Sequence, residues 1–205
     1  MRESRINGLG KVHKGKFDNI LIEGIGILGG DIEVENIKVH GLMLAKGMLK
    51  VSDMILNGTI RLAKGIDANT IQIDNGTIIS KSKIYASLLD CKGNIRIKGD
   101  INSETVKIYG KGKANSIVGD SIFIKSKSQT EKGRRTNHVM NGVANNRFII
   151  SRIEGSVIDV DSINCKRIEG DFVKVKGKSI VGQIYYTKSL EIDADCKVDK
   201  IVRHD

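Results

Sequence analysis

The chain has no proline and no tryptophan among its 205 residues, and its aromatic residues are limited to four phenylalanines and four tyrosines. Proline removes a donor from a β-ladder, so a chain without proline can pair its backbone over long runs. The hydrophobic residues, 40% of the chain, are dominated by isoleucine, valine and leucine. Because β-branched side chains favour strands over helices, these features indicate an all-β protein.

Two kinds of localisation signal are also missing. No run of about 18 apolar residues is present, so no segment is predicted to span a bilayer. The first residues, MRESRINGLGKVHKG, lack the apolar stretch of a secretory signal peptide. Three widely separated cysteines, Cys91, Cys165 and Cys196, fit a reducing compartment better than a disulfide framework. These features predict a cytoplasmic protein with buried thiols and argue against a zinc site.

Glycines recur at an almost constant spacing, and apolar residues recur with them. The repeated glycines are Gly24, Gly41, Gly58, Gly76, Gly93 and Gly110. Eight residues after each glycine the chain has Ile32, Leu49, Ile66, Ile84, Ile101 and Val118. In the first five of these repeats, positions 13 and 15 are apolar as well, for example Ile37 and Val39. The glycines are 17 or 18 residues apart, and a repeat at a fixed spacing of this kind is typical of a repeat architecture.

Alternating apolar residues such as Ile37 and Val39 point to one side of a short strand. If each repeat makes one circuit, equivalent side chains stack about 4.8 Å apart and close a dry core. Each buried aliphatic side chain then contributes roughly 1.5–3 kcal/mol, and the glycines are expected at sharp corners with positive φ. The pattern predicts a β-solenoid with coils of about 17 residues.

The repeat stops between Lys125 and Arg147 and then returns. The tetrapeptide RIEG occurs at Arg152 and again at Arg167, and later apolar pairs recur at the original spacing. This division predicts N-terminal coils over residues 1–124, a basic surface loop over 125–147, and C-terminal coils over 148–205 of one continuous solenoid. Two separate solenoids are the alternative.

The interruption carries much of the net charge of +10. Its basic residues are Lys125, Lys127, Lys132, Arg134, Arg135 and Arg147, against the single acid Glu131. A solvated loop is one interpretation, and contact with anionic lipid headgroups is another. Nucleic acid is disfavoured as a partner, because the loop has no aromatic residue that could stack on bases.

No residue pattern indicates a catalytic, cofactor or metal site. The histidines His13, His40, His138 and His204 have no metal-binding spacing, and His40 is expected to point outward. Acidic residues such as Asp31, Asp67, Asp100 and Glu104 do not share a column, as the paired carboxylates of a glycosidase would. A carbohydrate-active or acyl-transfer enzyme is therefore the least favoured alternative.

The coils, the basic interruption and the tail IEGDFVKVKGKSIVGQIYYTKSLEIDADCKVDKIV together resemble the bactofilins, and most closely the bactofilin-like proteins of Gram-positive spore-formers. The resemblance implies a right-handed, single-stranded parallel β-helix that self-assembles without nucleotide or cofactor. Such filaments act as scaffolds for cell shape, envelope synthesis or motility. The interruption departs from relatives with a membrane-seeking segment, since its only apolar residues of that kind are Val139, Met140 and Val143.

Assembly is predicted at the end of the solenoid, because unpaired coil edges recruit further strands. The last coils alternate without a polar cap, and the predicted polymerisation edge consists of Leu190, Ile192, Val198 and Ile201. The expected partner is a second copy of the chain, and an anionic membrane surface or envelope proteins are further candidates. The predicted location is the cytoplasm, which includes a peripheral position at the inner face of the membrane. The alternative is a β-helix that binds or regulates partners without polymerising.

Overall fold

The computed structural model describes residues 2–126 and 147–204. These residues contain fourteen β-strands and no helix. The strands are β1 (Glu3–Val12), β2 (Gly15–Leu28), β3 (Ile32–Val39), β4 (Leu42–Ala45), β5 (Leu49–Leu56), β6 (Thr59–Leu62), β7 (Ile66–Ser80), β8 (Ile84–Ile97), β9 (Asp100–Val118), β10 (Ser121–Ser126), β11 (Phe148–Asp161), β12 (Ile163–Lys176), β13 (Ile180–Ile192) and β14 (Lys197–Arg203).

All of these strands pair in parallel, each coil with the coil before and after it. Ile32 pairs with Leu49, Leu49 with Ile66, and the column continues in register through Ile84 and Ile101. The strands form about 11 stacked coils. The β-solenoid predicted from the repeat is therefore confirmed.

Each coil has three straight segments with two inward side chains each. In one coil the inward pairs are Ile32 and Val34, Ile37 and Val39, and Met43 and Ala45, all buried. We call the stacked segments that contain these pairs the first, second and third faces, in that order. Outward residues alternate with the inward ones, so each face has a dry inner side and a solvent side.

The repeated glycines serve a different purpose from the predicted one. Among the six, only Gly24 has a positive φ, at 142°. A Cβ atom on Gly93 would lie 2.2 Å from the carbonyl oxygen of Gly76, and one on Gly110 would lie 1.7 Å from that of Gly93. The expectation of positive φ is thus wrong for most of them, and close stacking of the backbones is what excludes a side chain.

The coil length is not constant, and this overturns one assignment to the core. Arg152 pairs with Arg167, a shorter step along the chain than the one from Ile66 to its partner Ile84. Val118 is expected inside from the repeat, but it is half-buried and pairs with Glu154, whereas Ile117 is buried. The cause is a shorter coil. Residues of β9 pair with residues of β10 that lie one position nearer along the chain than in most coils, so the inward position also falls one residue earlier.

The interruption is framed by paired strands on both sides. β10 pairs with β9 and also with β11, and β9 itself pairs with the start of β11. Lys113 thereby pairs with Ile149, across the whole interruption. β10 ends at Ser126 and β11 begins at Phe148, at the corner that precedes the third face.

The three cysteines are free thiols at different depths. Cys91 and Cys165 are buried in the core, as expected, whereas Cys196 is only half-buried near the last strand. Burial raises the pKa of Cys91 and of Cys165 to about 12. Because the thiolate is the reactive form, the two core thiols are protected both by their pKa and by their position.

At about pH 8, a thiol-specific reagent such as 5,5′-dithiobis(2-nitrobenzoic acid) is expected to modify Cys196 first, and Cys91 and Cys165 only after denaturation.

Unfolded thiols ionise near pH 9, the reference value from which burial shifts the pKa of Cys91 and Cys165. The core thiols therefore stabilise the fold fully below pH 9, and this contribution falls as pH rises towards about 12. Urea unfolding at increasing alkaline pH measures the loss, and a Cys91→Ala, Cys165→Ala variant with the same alkaline loss would contradict it.

Candidate assembly interface

Among the described residues, the core is open at the end formed by β14. Ile184 and Ile201 occupy the same inward column and pair with each other. Ile184 is completely buried, whereas 49% of the Ile201 surface is exposed. The difference arises because β14 pairs with β13, and no strand within the described residues covers its other edge. An inward isoleucine at this position is therefore left facing solvent.

The other three residues of the predicted polymerisation edge lie in the same terminal layer. Leu190 and Ile192 of β13 pair with Val173 and Val175, but β14 ends opposite Tyr186 and leaves them uncovered. Leu190, Ile192 and Val198 are partly buried against the core. We call the surface formed by Leu190, Ile192, Val198 and Ile201 the C-terminal tip. The structure brings these four residues together at one end.

The opposite end is more closed. In β1, Ile6 and Val12 are buried although β1 pairs only with β2 among the described strands. The guanidinium carbon of Arg2 lies 4.3 Å from the centre of the Phe17 ring, a cation–π contact that covers this core residue. The amide of Asp18 donates a hydrogen bond to the carbonyl of Arg2. Arg2 therefore covers the core at Phe17.

The two ends also differ in charge. Residues 2–16, the N-terminal tip, contain five basic residues against one acid, whereas residues 188–204 contain four of each. Two of the N-terminal cations are paired, Arg5 with Glu23 at 2.8 Å and Lys16 with Glu33 at 2.9 Å. Even with these two ion pairs, the N-terminal tip keeps an excess of basic residues, whereas the C-terminal tip is neutral and apolar.

Only two residues of the predicted basic loop can be placed. Lys125 is exposed on β10, where it pairs with Tyr109 and Asp161, and Arg147 is half-buried directly before β11. The remaining four, Lys127, Lys132, Arg134 and Arg135, lie outside the described residues. The interpretation of this loop as a contact for anionic partners stays a prediction.

A groove of about 510 Å³ lies beside the first face, near the C-terminal tip. Three stacked glycines, Gly119, Gly155 and Gly170, line it, and a Cβ on Gly155 would approach the carbonyl oxygen of Gly119 to 2.2 Å. Tyr185 and His204 form one side, with their rings stacked at a centroid distance of 5.4 Å. The absence of side chains at the glycines creates the concavity.

Acidic residues in the groove are held by neighbouring cations. Glu154 pairs in register with Glu169, so these carboxylates share a column that was not expected from the sequence. Arg152 contacts both, at 2.6 and 3.7 Å, and Arg167 contacts Glu169 at 2.9 Å. The recurrence of the RIEG tetrapeptide in consecutive coils was the signal that could have revealed this ladder.

The groove presents charged side chains and aromatic rings that neighbouring residues hold in place. A hydrogen bond from Thr187 and the neighbouring Lys188 lower the pKa of Asp171, so this carboxyl stays ionised. The guanidinium of Arg167 lies 4.3 Å from the centre of the Tyr185 ring, and its Nε atom is buried without a hydrogen-bond partner. The arrangement suits a polar ligand or a side chain of another protein.

Within the described residues, no group of three or more histidine, cysteine or acidic side chains is arranged to hold a metal ion. No helix in this part of the chain is long and apolar enough to cross a membrane. A comparison with known proteins finds no matching family model, no similar curated protein and no similar solved structure. Function therefore has to be inferred from the fold and its surfaces.

Proposed function

We propose that the protein is a structural, self-assembling β-solenoid of the bactofilin type, which joins end to end into filaments without a nucleotide. The observation that carries this proposal is the open core at the C-terminal tip, where Ile201 is 49% exposed while Ile184 below it is buried. Filaments of this kind would serve as a scaffold for cell shape, envelope synthesis or motility in the cytoplasm.

Backbone and side chains both favour association at the tip. The outer edge of β14 presents a row of unpaired amide and carbonyl groups, which can pair with another strand about 4.8 Å away. A second molecule would also cover Leu190, Ile192 and Ile201, and burial of one aliphatic side chain contributes roughly 1.5–3 kcal/mol. Natural solenoids usually block such ends with polar caps.

Charge limits the ways in which the ends can meet. Joining two N-terminal tips would bring together two sets of five basic residues, including Arg2 and Lys14, and like charges at short range repel. An N-terminal tip on a C-terminal tip, or two C-terminal tips together, avoids this repulsion. The first arrangement continues the parallel stack, and both cover Ile201.

The experiment is size-exclusion chromatography with light scattering, followed by negative-stain electron microscopy, at tens of micromolar protein and at low and high salt. We expect rods longer than one molecule, whose length increases with concentration. A monodisperse monomer under all of these conditions would rule out the proposal.

A second candidate, a binding or regulatory module that does not polymerise, is favoured by the groove. Its stacked Tyr185 and His204, together with the Glu154–Glu169 column, form a shaped polar surface. The same microscopy discriminates between the candidates, because a module of this kind stays monomeric or dimeric.

A further inference from the structure

The third face carries a column of outward side chains that runs through the whole described stack. Consecutive members pair in register from β1 to β14, across every coil. Its members are Lys11, Ile27, Leu44, Arg61, Ile79, Arg96, Lys113, Ile149, Asn164, Ile180 and Lys197. Five are basic, five are aliphatic, and none is acidic. At about 4.8 Å per coil the column is about 48 Å long.

The other two faces are built differently. On the first face, opposite charges alternate between coils, as in Lys16, Glu33, Lys50 and Asp67, and Lys16 lies 2.9 Å from Glu33. On the second face, Asp159 pairs with Lys174, which pairs with Glu191. The chain thus places acids between cations on two faces and omits them on the third.

Further cations and aliphatic residues border this column. The corner that follows the third face carries the exposed lysines Lys46, Lys81, Lys98 and Lys166. On the other side, Leu9, Ile25 and Leu42 pair with one another in an outward column, and Leu9 and Ile25 are 76% and 43% exposed. The result is a flat strip with a basic edge and an aliphatic patch.

Within the part of the chain that the structure describes, no ion pair neutralises the cations of the column. Arg96 pairs directly with Lys113, and like charges opposite each other on neighbouring strands are destabilising. None of the ion pairs formed between described residues involves Arg61, Arg96 or Lys113. An arrangement that costs stability in the free protein is explained if a negatively charged surface covers it.

We propose that the third face lies flat on a bilayer that contains anionic lipids. Lysine and arginine are attracted to the negative potential of such a surface within about one Debye length, about 8 Å. The outward aliphatic residues, such as Leu9 and Ile25, would rest against the interfacial region. A second copy of the same face is excluded as the partner, because it would place one basic strip against another.

The composition of the face favours lipid over nucleic acid. The outward columns of the third face contain no aromatic residue within the described ranges, whereas single-stranded nucleic acids are bound by stacking on aromatic rings. Exposed aliphatic side chains gain little from contact with phosphates of a duplex. The inference is independent of filament formation, since one molecule already presents the whole strip.

The test is co-sedimentation of the full chain with vesicles of phosphatidylcholine alone or with about one third phosphatidylglycerol, a content chosen to give a negative surface potential. Wild type is expected to sediment only with the anionic vesicles, and less so at about 0.5 M salt than at about 0.1 M. The double variant Arg61→Glu, Arg96→Glu is expected to bind at least about tenfold more weakly.

The matched control is Lys38→Glu, Lys107→Glu on the second face, which changes the net charge by the same amount and should leave binding within about twofold. Equal loss of vesicle binding in both variants would mean that the total charge of the protein determines binding. Unchanged binding of the Arg61, Arg96 variant would mean that another segment contacts the vesicles. Either result overturns the proposal. Stronger binding to duplex DNA or RNA than to vesicles would also overturn it. Circular dichroism and microscopy check that the variants fold and assemble like wild type.

A second variant tests the aliphatic part of the strip. Leu9→Gln, Ile25→Gln replaces two exposed side chains, so the fold should be unaffected. We expect weaker binding to anionic vesicles with an unchanged dependence on salt, because apolar contacts are not screened. Unaltered binding at every salt concentration would restrict the contact to electrostatics and contradict the flat, partly inserted arrangement.

Discussion

Ile201→Lys is expected to abolish filaments while leaving the solenoid folded. In the free molecule the lysine can extend its ammonium group into solvent, because Ile201 is already half exposed. In a joined end the same charge would be buried without a partner, which costs several kcal/mol. A loss of about 3 kcal/mol raises the concentration needed for assembly about a hundredfold. Light scattering over a concentration series and electron microscopy measure the effect.

The control for this variant is Ile149→Lys on the third face. Ile149 is an outward isoleucine in the middle of the stack with nearly the same exposure, 46% against 49%. The two variants therefore add one lysine at a comparable surface position, but only Ile201 lies at the C-terminal tip. Filaments should persist in the Ile149 variant. Assembly of the Ile201 variant at the wild-type concentration would show that this tip is not the joint.

Gly110→Ala is expected to lower the free energy of unfolding by about 3 kcal/mol, the upper part of the range for overpacking. The added Cβ would lie 1.7 Å from the carbonyl oxygen of Gly93, and backbone atoms cannot move aside as a side chain can. Two coils would have to separate locally. For a domain of this size the midpoint of thermal unfolding should fall by about 6–12 °C, measured by circular dichroism.

Gly30→Ala provides the comparison at a glycine where no backbone atom lies as close. There the atom nearest to the added Cβ is the Cβ of Lys14, at 3.0 Å, and Lys14 lies in the exposed bend between β1 and β2, where the backbone can give by the small distance required. The midpoint should therefore change by no more than about 2 °C, within the usual range for a surface substitution. Equal destabilisation by both variants would contradict the role assigned to backbone stacking.

The stacking of the core could be predicted because the period of the sequence and the period of the structure coincide over many coils. Ile32, Leu49, Ile66 and Ile84 form a column that is visible as soon as the repeats are written one beneath another. Val118 escaped this reasoning, because one coil is shorter and the count from the preceding glycine no longer applies. When corners vary in length, the side chains still stack in columns, but the number of residues between successive members of a column changes.

The surfaces were less predictable than the core. Leu190, Ile192, Val198 and Ile201 could be assigned to one end from their place in the last coils, and the structure groups them there. The cover over Phe17 depends on how the Arg2 side chain folds back, which no repeat encodes. The groove depends on stacked glycines, where the sequence shows only a missing side chain.

The direction of the strands has a mechanical consequence. They run across the long axis, so a force that pulls the two ends apart acts on the hydrogen bonds of one coil boundary at a time. Each such bond contributes only about 0.5–1.5 kcal/mol, and each coil contacts only its neighbours. A rod of this kind should resist bending and compression well, but under tension it should yield by peeling away single layers from an end.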